Sequence, residues 1–151
     1  MTKEQIQGFS RRIAGCSRTE LVVITYDIIL TYIEEAEKSY AVGDEEEFLF
    51  NIKKAKAYVN DLTSSLNLEY SISFELFRLY SFISRTLFHN IVIKKPNSLE
   101  NIVEIIRKLK ASFEEVARYD NSGMVMDRSQ TVYAGYTYSK GANLNEIIVR
   151  Q

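Results

Sequence analysis

Residues 48–66, FLFNIKKAKAYVNDLTSSL, carry apolar side chains at Phe48, Ile52, Ala55, Val59, Leu62 and Leu66, in alternating steps of four and three. At 3.6 residues per turn these positions share one face of a helix. Leu99, Ile102, Ile106, Leu109, Phe113 and Val116 repeat the pattern, Ile72, Leu76, Leu79, Ile83 and Leu87 give a third stripe, and Leu21, Ile24, Ile28, Tyr32 and Ala36 a fourth. Four helices of roughly 20 residues, each about 30 Å long, joined by short connections, predict an all-α antiparallel four-helix bundle.

The breaks between stripes carry helix signals. Gly43 suits the left-handed position that ends one helix, and Asp44 with Glu47 three residues on suits the start of the next. Ser17 with Glu20 has the same spacing, and Asn97-Ser98-Leu99-Glu100 after the sole proline, Pro96, is a weaker version of it. A polar stretch at residues 67–71 marks the remaining start less sharply. The expected long helices are about 18–42, 45–66, 71–93 and 98–118, in a bundle over residues 1–118.

Two stripes are wider than one seam requires. Between Leu21 and Ile33 the only polar residues are Thr25, Asp27 and Thr31, so Val22, Tyr26, Ile29 and Ile33 form a second row beside the first. The third long helix adds Phe77, Tyr80, Phe88 and Ile91, and the second adds Leu49, Phe50 and Tyr58. A contiguous exposed apolar patch above a few hundred Å² usually marks a partner surface. The alternative is cover by the N-terminal helix or the tail.

Composition removes several function classes. The chain has 151 residues, 19 Lys plus Arg against 20 Asp plus Glu, and a net charge of −1. That balance lacks the long-range attraction to nucleic acid or anionic membrane of a strongly basic chain, so neither is an expected partner. One cysteine, Cys16, and one histidine, His89, cannot supply a thiolate zinc site or the two Glu-x-x-His pairs of a di-metal bundle, so no metal or cofactor is expected. A Cys16–His89 nucleophile pair has no supporting context. No catalytic residue is assigned. The polar residues 1–7 and the interrupted run Leu21 to Ile33 predict neither a signal peptide nor a membrane span, which makes the cytoplasm the expected location.

The ordered set of motifs resembles the FliS-type flagellin export chaperones. Ser17-Arg18-Thr19-Glu20-Leu21 running into Thr25-Tyr26-Asp27 resembles the family's Ser-Pro-x-x-Leu start and following Leu-Tyr-Asp step. Asn51, Lys54-Ala55, Leu62 and Leu66-Asn67 resemble its second long helix, and Leu79-Tyr80-Ser81-Phe82-Ile83 its Leu-Tyr-Asp-Tyr-Met. Spacing is kept from Ser17 to Val116. Arg18 stands in place of Pro, Ile28-Ile29 in place of Gly-Ala, Ser81 in place of the second Asp and Phe113 in place of Trp, as in a divergent member.

The resemblance implies a cytosolic binding protein without catalytic activity. Its partner would be the C-terminal segment of flagellin, held in apolar grooves outside the bundle so that it cannot polymerise before export, with the flagellar export apparatus as a candidate second partner. A segment that folds on binding loses ordering entropy, so its receptor needs a long apolar groove. Tyr26, Ile29, Ile33, Tyr58, Phe77 and Tyr80 are the groove candidates, with Asp27 and Asn51 as polar groups fixing register. A helical adaptor or oligomerisation module unrelated to flagella would use the same stripes and stays open.

Both termini differ from the bundle. Thr2 and Gln5 form a capping pair, and Ile6, Phe9 and Ile13 share a face of a short helix, about 2–13, too short to persist alone. By the same resemblance this helix covers the groove when cargo is absent, with Ile6, Phe9 and Ile13 docking on it. The tail, 119–151, favours extended strand at Thr131 to Tyr138 and a turn at Ser139-Lys140-Gly141. Leu144, Ile147 and Ile148 have the spacing to mimic a cargo helix.

Overall fold

A computed structural model describes residues 1–125 as α1 (Lys3–Ala14), α2 (Arg18–Ala41), α3 (Glu45–Ser64), α4 (Ser71–Ile93) and α5 (Leu99–Ala117). The described residues are helical, without a strand. The strand, turn and cargo-mimicking expectations for Thr131 to Ile148 lie outside the described residues.

The helix starts follow from their capping residues. Thr2 with Gln5 and Ser17 with Glu20 both close reciprocal capping boxes, and the Asp44 carboxylate accepts from the Glu47 N–H at 3.0 Å. Each satisfies backbone donors that a helix start leaves free. Gly43 adopts φ +79°, where a side chain would be strained. The start of α5 departs from the capping expectation. Ser98 takes a left-handed backbone (φ 57°) and its hydroxyl caps nothing. The turn is held by the buried Asn90 instead, which donates to the Asn97 and Thr86 carbonyls at 2.8 and 2.7 Å and accepts from the Asn97 N–H at 2.6 Å.

Paired contacts run in opposite chain directions. Tyr32 stacks on Tyr58 and Tyr40 packs on Phe48 between α2 and α3; Asn60 meets Ser84 and Glu45 meets Lys94 between α3 and α4; Thr19 meets Asp120 and Tyr26 meets Phe113 at α2 and α5. The neighbours are therefore antiparallel. The strongest packing joins α4 to α3, α3 to α2 and α2 to α5, while α4 and α5 touch weakly. This arrangement makes α2 the central helix, with α3 on one flank, α5 on the other, and α1 lying on it.

That position corrects two readings of the stripes. Tyr26, Ile29 and Ile33 are each 1% exposed: the second row of α2 is core, because a helix packed on two flanks must be apolar over a wide arc. On α4 the buried row is Leu76, Tyr80, Ile83 and Leu87, so Tyr80 takes the place expected of Leu79, and Ile72 is exposed. The seams of α3 and α5 hold at Phe48, Ile52, Ala55, Val59 and Leu62 and at Leu99, Ile102 and Ile106, all buried. Among the described residues, no helix is long and apolar enough to cross a membrane.

Candidate binding groove

Among the described residues, an apolar opening lies between α2 and α3. Leu21, Val22 and Ile28 from α2 and Tyr58 and Leu62 from α3 line a cavity of about 550 Å³. Thr25, Asp61 and Ser65 supply polar points at its edge. Two of its walls come from outside the long helices: Ile13 of α1 and Val125, whose N–H donates to the Cys16 carbonyl at 3.0 Å. Of the lining residues, Tyr58 is held by stacking on Tyr32, with ring centroids 5.9 Å apart and planes 24° from parallel. Burial, and then the neighbouring Tyr58, push the Tyr32 phenol above its ordinary pKa, while Arg18 and Asp61 are the charged groups of the lining. A concave, mostly apolar site with a few polar rim groups suits an amphipathic ligand.

The segment after α5 is pinned beside this cavity. The Asp120 carboxylate accepts from the Thr19 hydroxyl at 2.6 Å and the Thr19 N–H at 3.1 Å, at the start of α2. The Thr19 hydroxyl, then the Ser122 side chain and the backbone N–H groups, hold this carboxyl well below the usual carboxylate range.

The helix over the groove is lightly attached. No residue of α1 is buried; Phe9 and Ile13 are half-buried against the core, while Ile6 is 50% exposed. Of the three residues expected to cover the groove, Ile13 lines the cavity, Phe9 packs against the core outside its lining, and Ile6 stays exposed. The polar tether is Arg12, whose guanidinium lies 2.7 Å from the Asp27 carboxylate. Lys110 of α5 reaches the other Asp27 oxygen at 2.6 Å, and that hydrogen bond raises the pKa of its ammonium.

The remaining expected residues scatter. Tyr58 lines the cavity. Asp27 is half-buried between α1 and α5, as a clamp rather than part of the α2/α3 cavity. Tyr26, Ile29, Ile33, Asn51 and Tyr80 are sealed in the core, which corrects the expectation that they face outward. Tyr26 and Tyr80 share a hydroxyl–hydroxyl hydrogen bond, and Tyr26 meets Phe113 edge-on at 5.7 Å. Burial pushes both phenols up, and on Tyr26 the adjacent Tyr80 adds to the effect. Asn51 donates to Glu47 at 3.3 Å, and its buried Oδ1 has no partner among the described residues. Phe77 is 46% exposed on α4, away from the cavity lining.

Leu21 and Val22 carried a signal, as members of the two α2 rows. Arg12, Lys110 and Val125 carried none, because their roles depend on how the helices are laid together. Cys16 is buried, its thiol donating to the Ile13 carbonyl at 3.2 Å, and burial first, then the Glu20 charge, raise its pKa. It sits at the α2 start beside the α5 end, whereas His89 lines a hollow with Asn97 and Ser98 at the α5 start. The two lie at opposite ends of the bundle and form no pair.

A search of curated proteins gives no match. The family model described as flagellar protein FliS matches residues 1–120, and the chain belongs to that family of flagellar export chaperones.

Proposed function

We propose that the α2/α3 groove receives the C-terminal segment of a flagellin in the cytoplasm and keeps that subunit from polymerising before it passes to the export apparatus. The carrying observation is an apolar cavity of about 550 Å³ whose outer wall is Ile13, on a helix with no buried residue. A wall so lightly held is replaceable. A cargo helix presenting apolar residues at i, i+3 and i+4 would take the place of Phe9 and Ile13, and the contact made by α1 lowers the net gain of binding. The protein acts here by burial of apolar surface, without bond-making chemistry.

Titration calorimetry with a synthetic peptide of about the last 40 residues of a flagellin, long enough to bury the area expected of coupled folding and binding, tests this. Binding with a negative heat-capacity change, gained helicity and tighter affinity for a chain lacking residues 1–14 supports the groove. Failure to bind both forms, or binding that Tyr58→Ser leaves unchanged, overturns it.

A further inference from the structure

The outer surface of α3 and α4 presents a second apolar stripe, on the side of α3 away from the cavity. Phe74, Phe77, Phe88 and Val92 are 53, 46, 55 and 60% exposed. Their spacing places them on one line along α4, with Ser81 and Ser84 filling the middle, over about 27 Å at 1.5 Å per residue. The neighbouring face of α4 supplies the core through Leu76, Tyr80, Ile83 and Leu87, and this row beside it stays uncovered. Exposed rows of this extent mark partner surfaces.

Charge identifies the partner. On the α3 side, the Lys56 ammonium lies 6.0 Å from the centre of the Phe88 ring, and exposed Lys53 stands one turn before it. On the far side, Arg78 follows Phe74 by four residues and Arg85 follows Ser81 by four, which puts both beside the stripe. The nearest acid on α4 is Glu75, a loose 3.9 Å from Arg78. An apolar line between two basic rows, on a chain of net charge −1, is a local asymmetry. Its complement is a helix with an apolar stripe and carboxylates on both flanks. The Asn60–Ser84 hydrogen bond at 3.1 Å ties α3 to α4 along the floor.

We infer that this α3–α4 face docks an acidic amphipathic helix of a protein other than the groove's cargo. The two surfaces lie on opposite sides of α3, so both can be occupied at once. Nucleic acid fits less well: the Phe88 ring carries Lys56 against it and Val92 and the two serines interrupt the row, which leaves Phe74 and Phe77 at one end as its stacking surfaces.

Fluorescence anisotropy of the full chain tests the inference with two labelled synthetic helices of about 18 residues, matched to the stripe length. Both carry leucines at i, i+3, i+4 and i+7; one has glutamates on its flanks and the other lysines. The acidic helix should bind at least about tenfold tighter. Phe77→Ser with Phe88→Ser should abolish that binding, Lys56→Glu with Arg85→Glu should reverse the preference, and Tyr58→Ser in the groove should change nothing. Phe77, Phe88 and Arg85 are exposed, Lys56 and Tyr58 half-buried, and circular dichroism checks that each variant keeps its helicity. Four results would overturn the inference: equal binding of both helices; binding lost through Tyr58→Ser but not through the phenylalanine pair; tighter binding to phosphatidylserine vesicles or a single-stranded oligonucleotide than to the acidic helix; or a concentration-dependent dimer, removed by the phenylalanine pair, with no peptide preference.

Discussion

The Tyr26 and Tyr80 hydroxyls satisfy each other inside an otherwise apolar core, and their energetics depend on both being present. Tyr26→Phe alone strands the Tyr80 hydroxyl and should cost about 1–3 kcal/mol, whereas Tyr26→Phe with Tyr80→Phe removes donor and acceptor together and should cost less than about 1 kcal/mol. Urea unfolding measures both. The pair also sets a pH dependence. Its phenols are raised above the ordinary value of 10.0, so below about pH 10 folded and unfolded chains both keep these protons and the contribution is complete. Above it the unfolded chain ionises first, so stability falls as pH rises. The double variant should flatten part of that fall, leaving the share of Tyr32, which is also raised. Asn90 makes a separate case. Asn90→Ala strips partners from both backbone groups of Asn97 and should lower stability by about 1–3 kcal/mol, read from the same unfolding curves.

Among the helices, α3 and most of α5 were legible as amphipathic rods, since each presents one seam to the interior and its period reports that directly; the α5 seam ends before Val116, which is exposed. The α2 pattern was readable as a helix but not as a position. A row such as Tyr26, Ile29 and Ile33 is apolar whether it faces solvent or a second neighbour, and only the packing order places α5 over it. Asp44 and Ser17 announced their helices correctly, while Ser98 did not, because Asn90 settles that turn from seven residues upstream of Asn97. The attachment of α1 gives an element-level expectation. The Arg12 end of the Arg12–Asp27 pair is exposed, so the pair contributes about 1 kcal/mol or less, and Arg12→Ala should speed amide exchange across Lys3–Ala14 and leave α3 and α4 protected as before. Slow exchange persisting in α1 would show that Phe9 and Ile13 alone hold it.

Taken as one body, the molecule uses α3 as a divider, with the α2/α3 groove on one side and the basic-edged phenylalanine row on the other. The bundle itself was legible from periodicity and capping. The groove was legible in Tyr58, in Ile13 through the resemblance, and in Leu21, Val22, Ile28 and Leu62 as members of the stripes, whereas Arg18, Asp61 and Val125 join it through contacts that no local pattern encodes. The central claim is that a flagellin C-terminal segment lies between α2 and α3 in place of α1. Hydrogen exchange of the chain with and without that peptide reads both halves of the claim at once. It predicts new protection over residues 21–28 and 58–65 together with faster exchange over residues 3–14. Protection confined to α4, or an unchanged α1 with peptide bound, would contradict it.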